Sequence, residues 1–375
     1  MIKWLRQIFN FRSLLVIITI GALTLLTFAY LTPFIHPGTI PLLPMVGLTY
    51  CIIFSVVLFT LILWTFMRSR WALIIVAFIL IGGKLHFRTF SFGSDEVNQN
   101  ETELHIMSYN VRLFDLYNLV PANSFKTRDK IFKYLKERNP DVVCFQEFYH
   151  QDAPSKFVTR DTIKQILSTI DIHERYAFKM SGHQNYGIAV MSKYPIIEKG
   201  NVAFPSDHSS ANYCIYTDIV KNKDTFRIYN VHLQSIKLQK DDYALFDENN
   251  THSAEQSSNV FKLIQKINQA YPVRAEQAEI IMKHVKNSRF PVIICGDFND
   301  TPLSYCYNQF SALLIDAFRN TSKGIGATYS GKIPVGRIDY IFHSKLIGSK
   351  DFVIQKEALS DHYAIDCKLF IKKED

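Results

Sequence analysis

The sequence predicts an α+β protein of sandwich type: two packed, mostly antiparallel β-sheets flanked by helices, preceded by an N-terminal transmembrane helical segment. Three observations carry this. No charged residue occurs between Arg12 and Arg68, and no Asp or Glu precedes Asp95. Beyond residue 103, short runs with strand-like alternation outnumber helical patterns. Few helices intervene between those runs, which favours packed antiparallel sheets over a doubly wound parallel one.

The anchor comes first. Of 375 residues 48% are hydrophobic, unevenly spread, and the formal net charge is +8. Six of the 42 basic residues and none of the 34 acidic ones lie in residues 1–86, which leaves 36 basic against 34 acidic residues beyond. The positive excess thus belongs to the apolar segment, where Lys and Arg report orientation. Bulk charge gives no support to a polyanion-binding surface on the remainder. The runs 13–32 and 40–66 are each long enough, at about 1.5 Å per residue, to cross a hydrocarbon core of roughly 30 Å. A cleaved signal peptide competes for the first run; the second run and the lack of a small-x-small site speak against it. A third segment, 71–86, has only 13 apolar residues, 71–83, before Lys84. Arg70, Lys84 and Arg88 can anchor it by snorkelling. Positive-inside counting places Lys3, Arg6, Arg12, Arg68 and Arg70 in the cytoplasm. Three spans then put the C-terminal domain on the non-cytoplasmic side; two spans keep it beside the N-terminus.

Residues 87–102, with Ser91, Gly93, Ser94, Asp95, Glu96 and Asn98, form a polar linker, and a single domain spans 103–375. Strands are expected at 104–110, 141–147, 187–192, 213–220, 225–232, 291–297, 337–343 and 364–371. An amphipathic helix over 128–138 places Ile131, Phe132 and Leu135 on one face. A helical stretch over 259–287 is expected to break near Pro272. The polar stretch 235–271 reads as a substrate-facing loop. Five cysteines, Cys144, Cys214, Cys295, Cys306 and Cys367, follow no disulfide or zinc spacing and read as small buried hydrophobes.

Polar residues suited to metal or phosphate chemistry stand at strand ends: Asn110, Glu147, His232, Asp297 and Asn299. One such residue is ordinarily a cap or turn; five together point to a crevice on a rigid scaffold. Asp297 and Asn299, two apart, share a face in an extended segment. The segments SYNVR (108–112), DVVCFQE (141–147), NVHLQS (230–235), CGDFND (295–300), GRIDYIF (336–342) and SDHYAIDCKL (360–369) resemble, in order, the motifs of the endonuclease/exonuclease/phosphatase superfamily.

The resemblance implies a phosphoesterase dependent on Mg²⁺, with Mn²⁺ as a substitute, acting by in-line attack of water. It implies Glu147 as principal metal ligand, with Asn110 supplying a neutral oxygen. Asp361 either completes the metal site or positions His362. Asp297 orients or deprotonates the water, and Asn299 hydrogen-bonds a phosphoryl oxygen. His362 contacts the phosphate while Asp339 accepts its other ring N–H, and His232 binds phosphate or protonates the leaving oxygen. GIAVMSKYP (187–195) packs beside the site. Arg274 and Gln277 match a helix after the histidine motif, or merely a solvated helical face.

Partners expected are a phosphate-ester substrate, nucleic acid or phospholipid headgroup, and the lipid bilayer through the N-terminal helices. The leading reading is a nuclease-like hydrolase of phosphodiester or phosphomonoester bonds; the alternative is a lipid or inositol-phosphate phosphodiesterase or phosphatase. A catalytically silent tethered module is disfavoured, because every catalytic position holds the expected residue type.

Overall fold

The structure, a computed structural model, describes residues 11–96, 103–117, 124–180, 184–205, 212–236, 254–331 and 336–372. Four helices open the chain: α1 (Phe11–Leu31), the short α2 (Leu43–Leu48), α3 (Tyr50–Phe66) and α4 (Trp71–Thr89). Among described residues α1 and α4 are long and apolar enough to cross a membrane by length and composition, and α3, with 17 residues, is shorter. The run 40–66 is therefore not one helix. Pro44 lies in the first turn of α2, and Thr49, outside helical geometry, separates it from α3. The third segment is longer than its apolar run, continuing to Thr89 through a break at Gly83, whose φ is +33°. The helices pack through Leu26, Ala29, Val57, Trp64 and Ile75, and Trp64 Nε1 donates to Thr19 Oγ1 at 2.9 Å. Outward they expose Ile17, Ile52, Phe66, Leu80 and Ile81.

The expected linker is partly structure. Strand β1 (Ser91–Phe92) pairs with residues Lys323–Gly324, and Ser91 Oγ donates to the carbonyls of Arg319 (3.0 Å) and Ser322 (2.8 Å). These bonds satisfy a polar segment that composition alone marks as free. Residues 97–102 of the expected linker lie outside the described residues.

The remaining elements, in order, are β2 (Leu104–Asn110), α5 (Ser124–Arg138), β3 (Val142–Gln151), α6 (Thr159–Leu167), β4 (Asp171–Met180), β5 (Gln184–Ser192), β6 (Ile196–Val202), β7 (Tyr213–Lys221) and β8 (Asp224–His232). Then come α7 (Ala254–Val285), β9 (Val292–Asp297), α8 (Tyr305–Ser311), β10 (Ile315–Asp316), α9 (Ala317–Thr321), β11 (Lys323–Gly324), β12 (Asp339–His343), β13 (Ile347–Ile354) and β14 (Ile365–Ile371). Two six-stranded sheets result, ordered β10-β12-β9-β8-β7-β6 and β13-β14-β2-β3-β5-β4. Each is antiparallel except for one central parallel pair, β8/β9 in the first and β2/β3 in the second.

Between the sheets lies a core of alternate strand residues, among them Ile106, Val142, Ile228, Ile293, Ile341 and Ile365. Burial of each such side chain contributes roughly 1.5–3 kcal/mol. Cys144, Cys295 and Cys367 belong to this core, and all five cysteines of the domain are buried free thiols. The outer faces are covered by α5 and α6 on one side and by α7 and α8 on the other. Helix α7 runs unbroken past Pro272, because Leu263, Ile267 and Tyr271 before it and Ala278, Ile281 and Val285 after it are held by apolar contacts. The expected loop 235–271 thus becomes helix from Ala254; residues 237–253 lie outside the described residues.

Candidate active site

Parallel pairing aligns strand ends. In the first sheet His232 ends β8 beside Asp297, which ends β9. Asp339, which begins the antiparallel neighbour β12, also pairs with Asp297. One row across three strands therefore carries His232, Asp297 and Asp339. In the second sheet Asn110, at the end of β2, pairs with Gln146. Glu147 follows within a β-bulge, where the ladder to β5 skips from Phe145 to Phe148. Its φ of +50° breaks the alternation and turns the carboxylate from the sheet into the crevice. Beneath the site the sheets are clamped together. Gln146 Nε2 donates to Asn230 Oδ1 at 2.6 Å, and Asn230 Nδ2 donates to the carbonyls of Phe145 and Ala189.

Asp297 is the hub. Its Oδ1 accepts from the Asn299 backbone N–H at 2.8 Å. Its Oδ2 accepts from Asn110 Nδ2 at 3.0 Å and Asn299 Nδ2 at 3.2 Å. Both imidazoles face the same oxygen, His362 Nε2 at 3.6 Å and His232 Nε2 at 3.7 Å. His362 Nδ1 lies 3.0 Å and 3.1 Å from the two oxygens of Asp339, whose backbone N–H donates to Thr328 Oγ1. Ser360 Oγ donates to the Asn110 carbonyl at 2.8 Å, fixing the segment that carries His362 to the end of β2.

The seven residues Asn110, Glu147, His232, Asp297, Asn299, Asp339 and His362 thus come together in one cluster; of these Glu147, Asp297, Asn299 and His362 line one crevice, together with Asp361 beside Arg112 (3.4 Å). Asn299 differs from expectation in its partners. Its amide N–H groups reach Asp297 and the Leu233 carbonyl, so in this arrangement it braces Asp297. Asn110 likewise directs its oxygen to the Arg112 backbone N–H. Arg274 and Gln277 are buried, not a solvated face: Arg274 Nε donates to the Gln234 carbonyl and Gln277 Oε1 accepts from the Gln234 N–H. They fix the segment that follows His232. Thr328, Tyr329 and Ser360 are further parts of the site; only Ser360 carried a signal, its place in the SDH motif.

Electrostatics follow burial. Burial raises the Glu147 carboxyl above the usual carboxylate range, with His232 opposing. Burial disfavours the charged form of His362, yet Asp339 and Asp297 together outweigh it and hold the imidazolium well above its ordinary pKa. Burial pushes Asp300 up to about 6, with Arg274 working against the shift.

Two donor sets are available to a cation. Asp297, Asp339 and His362 each offer a ligand atom, all within 4.8 Å of one another. These atoms, however, already bond one another or the neighbouring asparagines. Glu147 makes no hydrogen bond to a described residue, and His232 Nε2 stands 4.0 Å from its Oε1. An oxygen donor with no hydrogen-bond partner among the described residues, in a crevice of hard ligands, fits Mg²⁺, which takes few carboxylates and keeps several waters.

The Endonuclease/Exonuclease/phosphatase family matches residues 107–362, and a domain of unknown function, DUF8431, matches residues 12–89. A phospholipase C of Staphylococcus aureus is 26% identical over 176 residues, 44% of this chain and 52% of that protein. A sphingomyelinase C of Bacillus cereus is 26% identical over 238 residues, 58% of this chain and 62% of that protein. The chain spans little more than half the length of these curated relatives. Among solved structures, an endonuclease/exonuclease/phosphatase from Bacteroides vulgatus is similar with a TM-score of 0.52 at 17% identity, covering 72% of this chain and 100% of that one. At that identity the likeness concerns the fold.

Proposed function

This chain belongs to the Endonuclease/Exonuclease/phosphatase family, and we propose that it is a membrane-anchored, Mg²⁺-dependent phosphodiesterase whose substrate is a phospholipid. The observation that carries the chemistry is the convergence of Glu147, His232, Asp297 and the His362–Asp339 pair on one crevice. The lipid reading is supported by the two relatives, a phospholipase C and a sphingomyelinase C, and by the apolar helices that precede the domain. The nuclease-like reading takes second place: the described crevice has no row of unpaired cations of the kind a polynucleotide backbone requires.

Glu147, assisted by Asn110 and Asp361, would hold the metal. Bound there, Mg²⁺ polarises phosphoryl oxygens and eases ionisation of the attacking water. Asp297, locked by Asn110 and Asn299, orients that water and takes its proton. His362, kept charged by Asp339, donates from Nε2 to a phosphoryl oxygen. His232, whose Nε2 has no hydrogen-bond partner among described residues, delivers a proton to the leaving oxygen. Water adds to phosphorus, the bond to the lipid alcohol breaks, and a phosphorylated headgroup leaves.

Packing supports one orientation. The C-terminal ends of α1 and α4 lie together, Tyr30 against His86, and Arg88 beyond them donates to Asn308 of the domain at 2.7 Å. Arg68 and Arg70 lie at the other end of the bundle, where Trp64 stacks on Trp71. This supports three crossings with the domain on the non-cytoplasmic face.

The test uses full-length protein in detergent with phosphatidylcholine–sphingomyelin vesicles. Soluble phosphorylated headgroup should appear with Mg²⁺ and stop with EDTA. Glu147→Gln should lose at least 10²-fold in turnover at fixed Mg²⁺ while remaining folded. Activity indifferent to both chelation and Glu147→Gln refutes the site.

A further inference from the structure

We infer that the anchor is part of the substrate site: Leu48, on the short helix α2, joins residues of α7 in an apolar wall that receives the acyl portion of the lipid. The inference rests on the phosphodiesterase reading above. The crevice, about 260 Å³, is lined by Glu147, Asp297 and His362. The same crevice is also lined by Leu48, Ile236, Leu263, Ile267 and Tyr271. Leu263, Ile267 and Tyr271 pack with Met45 and Ile236 in a cluster separate from both sheet cores. Two of these residues, Met45 and Leu48, come from the loop between α1 and α3, which by sequence belongs to the anchor and not to the catalytic domain.

That loop is seated firmly. A Cβ on Gly47 would stand 3.0 Å from the Leu303 carbonyl, so helix and domain meet backbone to backbone. Leu303 is itself buried in the cluster formed by the anchor helices. His36 of the same loop meets Tyr305 edge to face, at 5.2 Å. Lying between the end of α1 and the start of α3, α2 would set this side of the crevice at the outer edge of the apolar layer. A lipid could therefore present its phosphate to the carboxylate end while its chains stay on the apolar side.

The distribution of charge favours the same occupant. The cations that line the crevice, Arg112 and Arg274, face Asp361 at 3.4 Å and Asp300 at 4.0 Å. Leu48, Ile236, Leu263, Ile267 and Tyr271 offer hydrocarbon surface to the substrate's non-reacting part, and an amphiphile with a phosphodiester at one end and alkyl chains beyond it matches that combination. A soluble polyol phosphate would leave the apolar wall wet.

The experiment compares two diesters with the full-length chain in detergent: bis(4-nitrophenyl) phosphate, which has no acyl chain, and short-chain phosphatidylcholines below their micellar concentrations. For the wild-type chain, kcat/KM should rise with acyl length by roughly two- to fourfold per methylene as each is taken from water. Leu48→Gln should lower the ratio of dihexanoyl-lipid to nitrophenyl-diester turnover at least tenfold. Leu48→Phe, which keeps the wall apolar but shortens it, should flatten the dependence on acyl length. An unaltered ratio in both variants, or a wild-type rate indifferent to acyl length, overturns the inference. Hydrolysis of the nitrophenyl diester without any lipid turnover overturns the lipid substrate and this wall together, leaving the metal-dependent chemistry intact. Failure on both diesters overturns the catalytic reading itself.

Discussion

Replacing Asp339 by Asn tests the relay with the least disturbance of packing, since the two side chains are nearly isosteric. In the structure both Asp339 oxygens lie 3.0–3.1 Å from His362 Nδ1, and both residues are buried. At that distance two unit charges attract by about 5 kcal/mol at an effective dielectric constant near 20. An Asn oxygen can still accept the Nδ1–H, so the ring keeps its orientation and chiefly the charge is lost. Allowing for the desolvation of the pair, we expect a loss of about 3–5 kcal/mol of transition-state stabilisation, or 10² to 10⁴ in kcat/KM. The pH profile should move as well. The carboxylates raise the His362 pKa, so the active, protonated imidazole should be lost at lower pH in the variant, and the alkaline limb should shift downward. The assay is headgroup release across a pH series, with circular dichroism to establish the fold. A folded variant that loses less than threefold, or whose alkaline limb stays in place, refutes the relay.

Asp300 has a folded pKa of about 6 against 3.8. The folded state therefore holds the proton more tightly, and the stability this confers is complete below about pH 4 and lost as pH rises through about 6. Two units correspond to about 3 kcal/mol, so Asp300→Asn should narrow the fall in Tm between pH 4.5 and 7.5; parallel curves would exclude it. Gly296 has φ +152°, and a Cβ there would stand 1.9 Å from the Val231 carbonyl. Gly296→Ala should cost more than about 3 kcal/mol by opening the β8/β9 ladder, and a Tm within a degree or two of wild type would contradict the close approach. A reporter fused after Asp375 should be active only if it works outside the cytoplasm, and activity confined to a cytoplasmic reporter would reject three crossings.

The strands that were legible in the sequence are mostly interior ones. Leu104–Asn110, Asp224–His232 and Val292–Asp297 are paired on both sides and read as apolar runs. The strands that escaped notice, Asp171–Met180, Ile196–Val202 and Ile347–Ile354, are all sheet edges. An edge strand tolerates charge on its open side, and DIHERYAFKM and IIEKGNV accordingly carry no clean alternation. The site was legible as residue types at strand ends, but not as bonds. Nothing local in DVVCFQE announces the bulge that turns Glu147 outward. The burial of Arg274 and Gln277 depends on Gln234, some 40 residues away, and no helical periodicity reveals it. Pro272 misled for the opposite reason: its local cost to a helix is real, but packing on both sides of it outweighs that cost.

The two parallel pairs explain why four motifs far apart in sequence meet at one point. In an antiparallel hairpin successive strands end at opposite edges of the sheet, so at most every second strand end faces a given crevice. A parallel pair delivers two neighbouring C-terminal ends to the same edge, and it requires a crossover between them. The α5 connection makes the β2/β3 pair and presents Asn110 and Glu147; the α7 connection makes the β8/β9 pair and presents His232 and Asp297. The crossovers differ in length, and the difference has a consequence. Helix α5 has 15 residues, close to what a crossover over one sheet needs, whereas α7 has 32. Its second half, with Ala278, Ile281 and Val285, covers the sheet. The half before Pro272 extends past it and meets Met45 of the anchor loop. The element that closes the catalytic topology is thus also the element that joins the crevice to the N-terminal apolar helices.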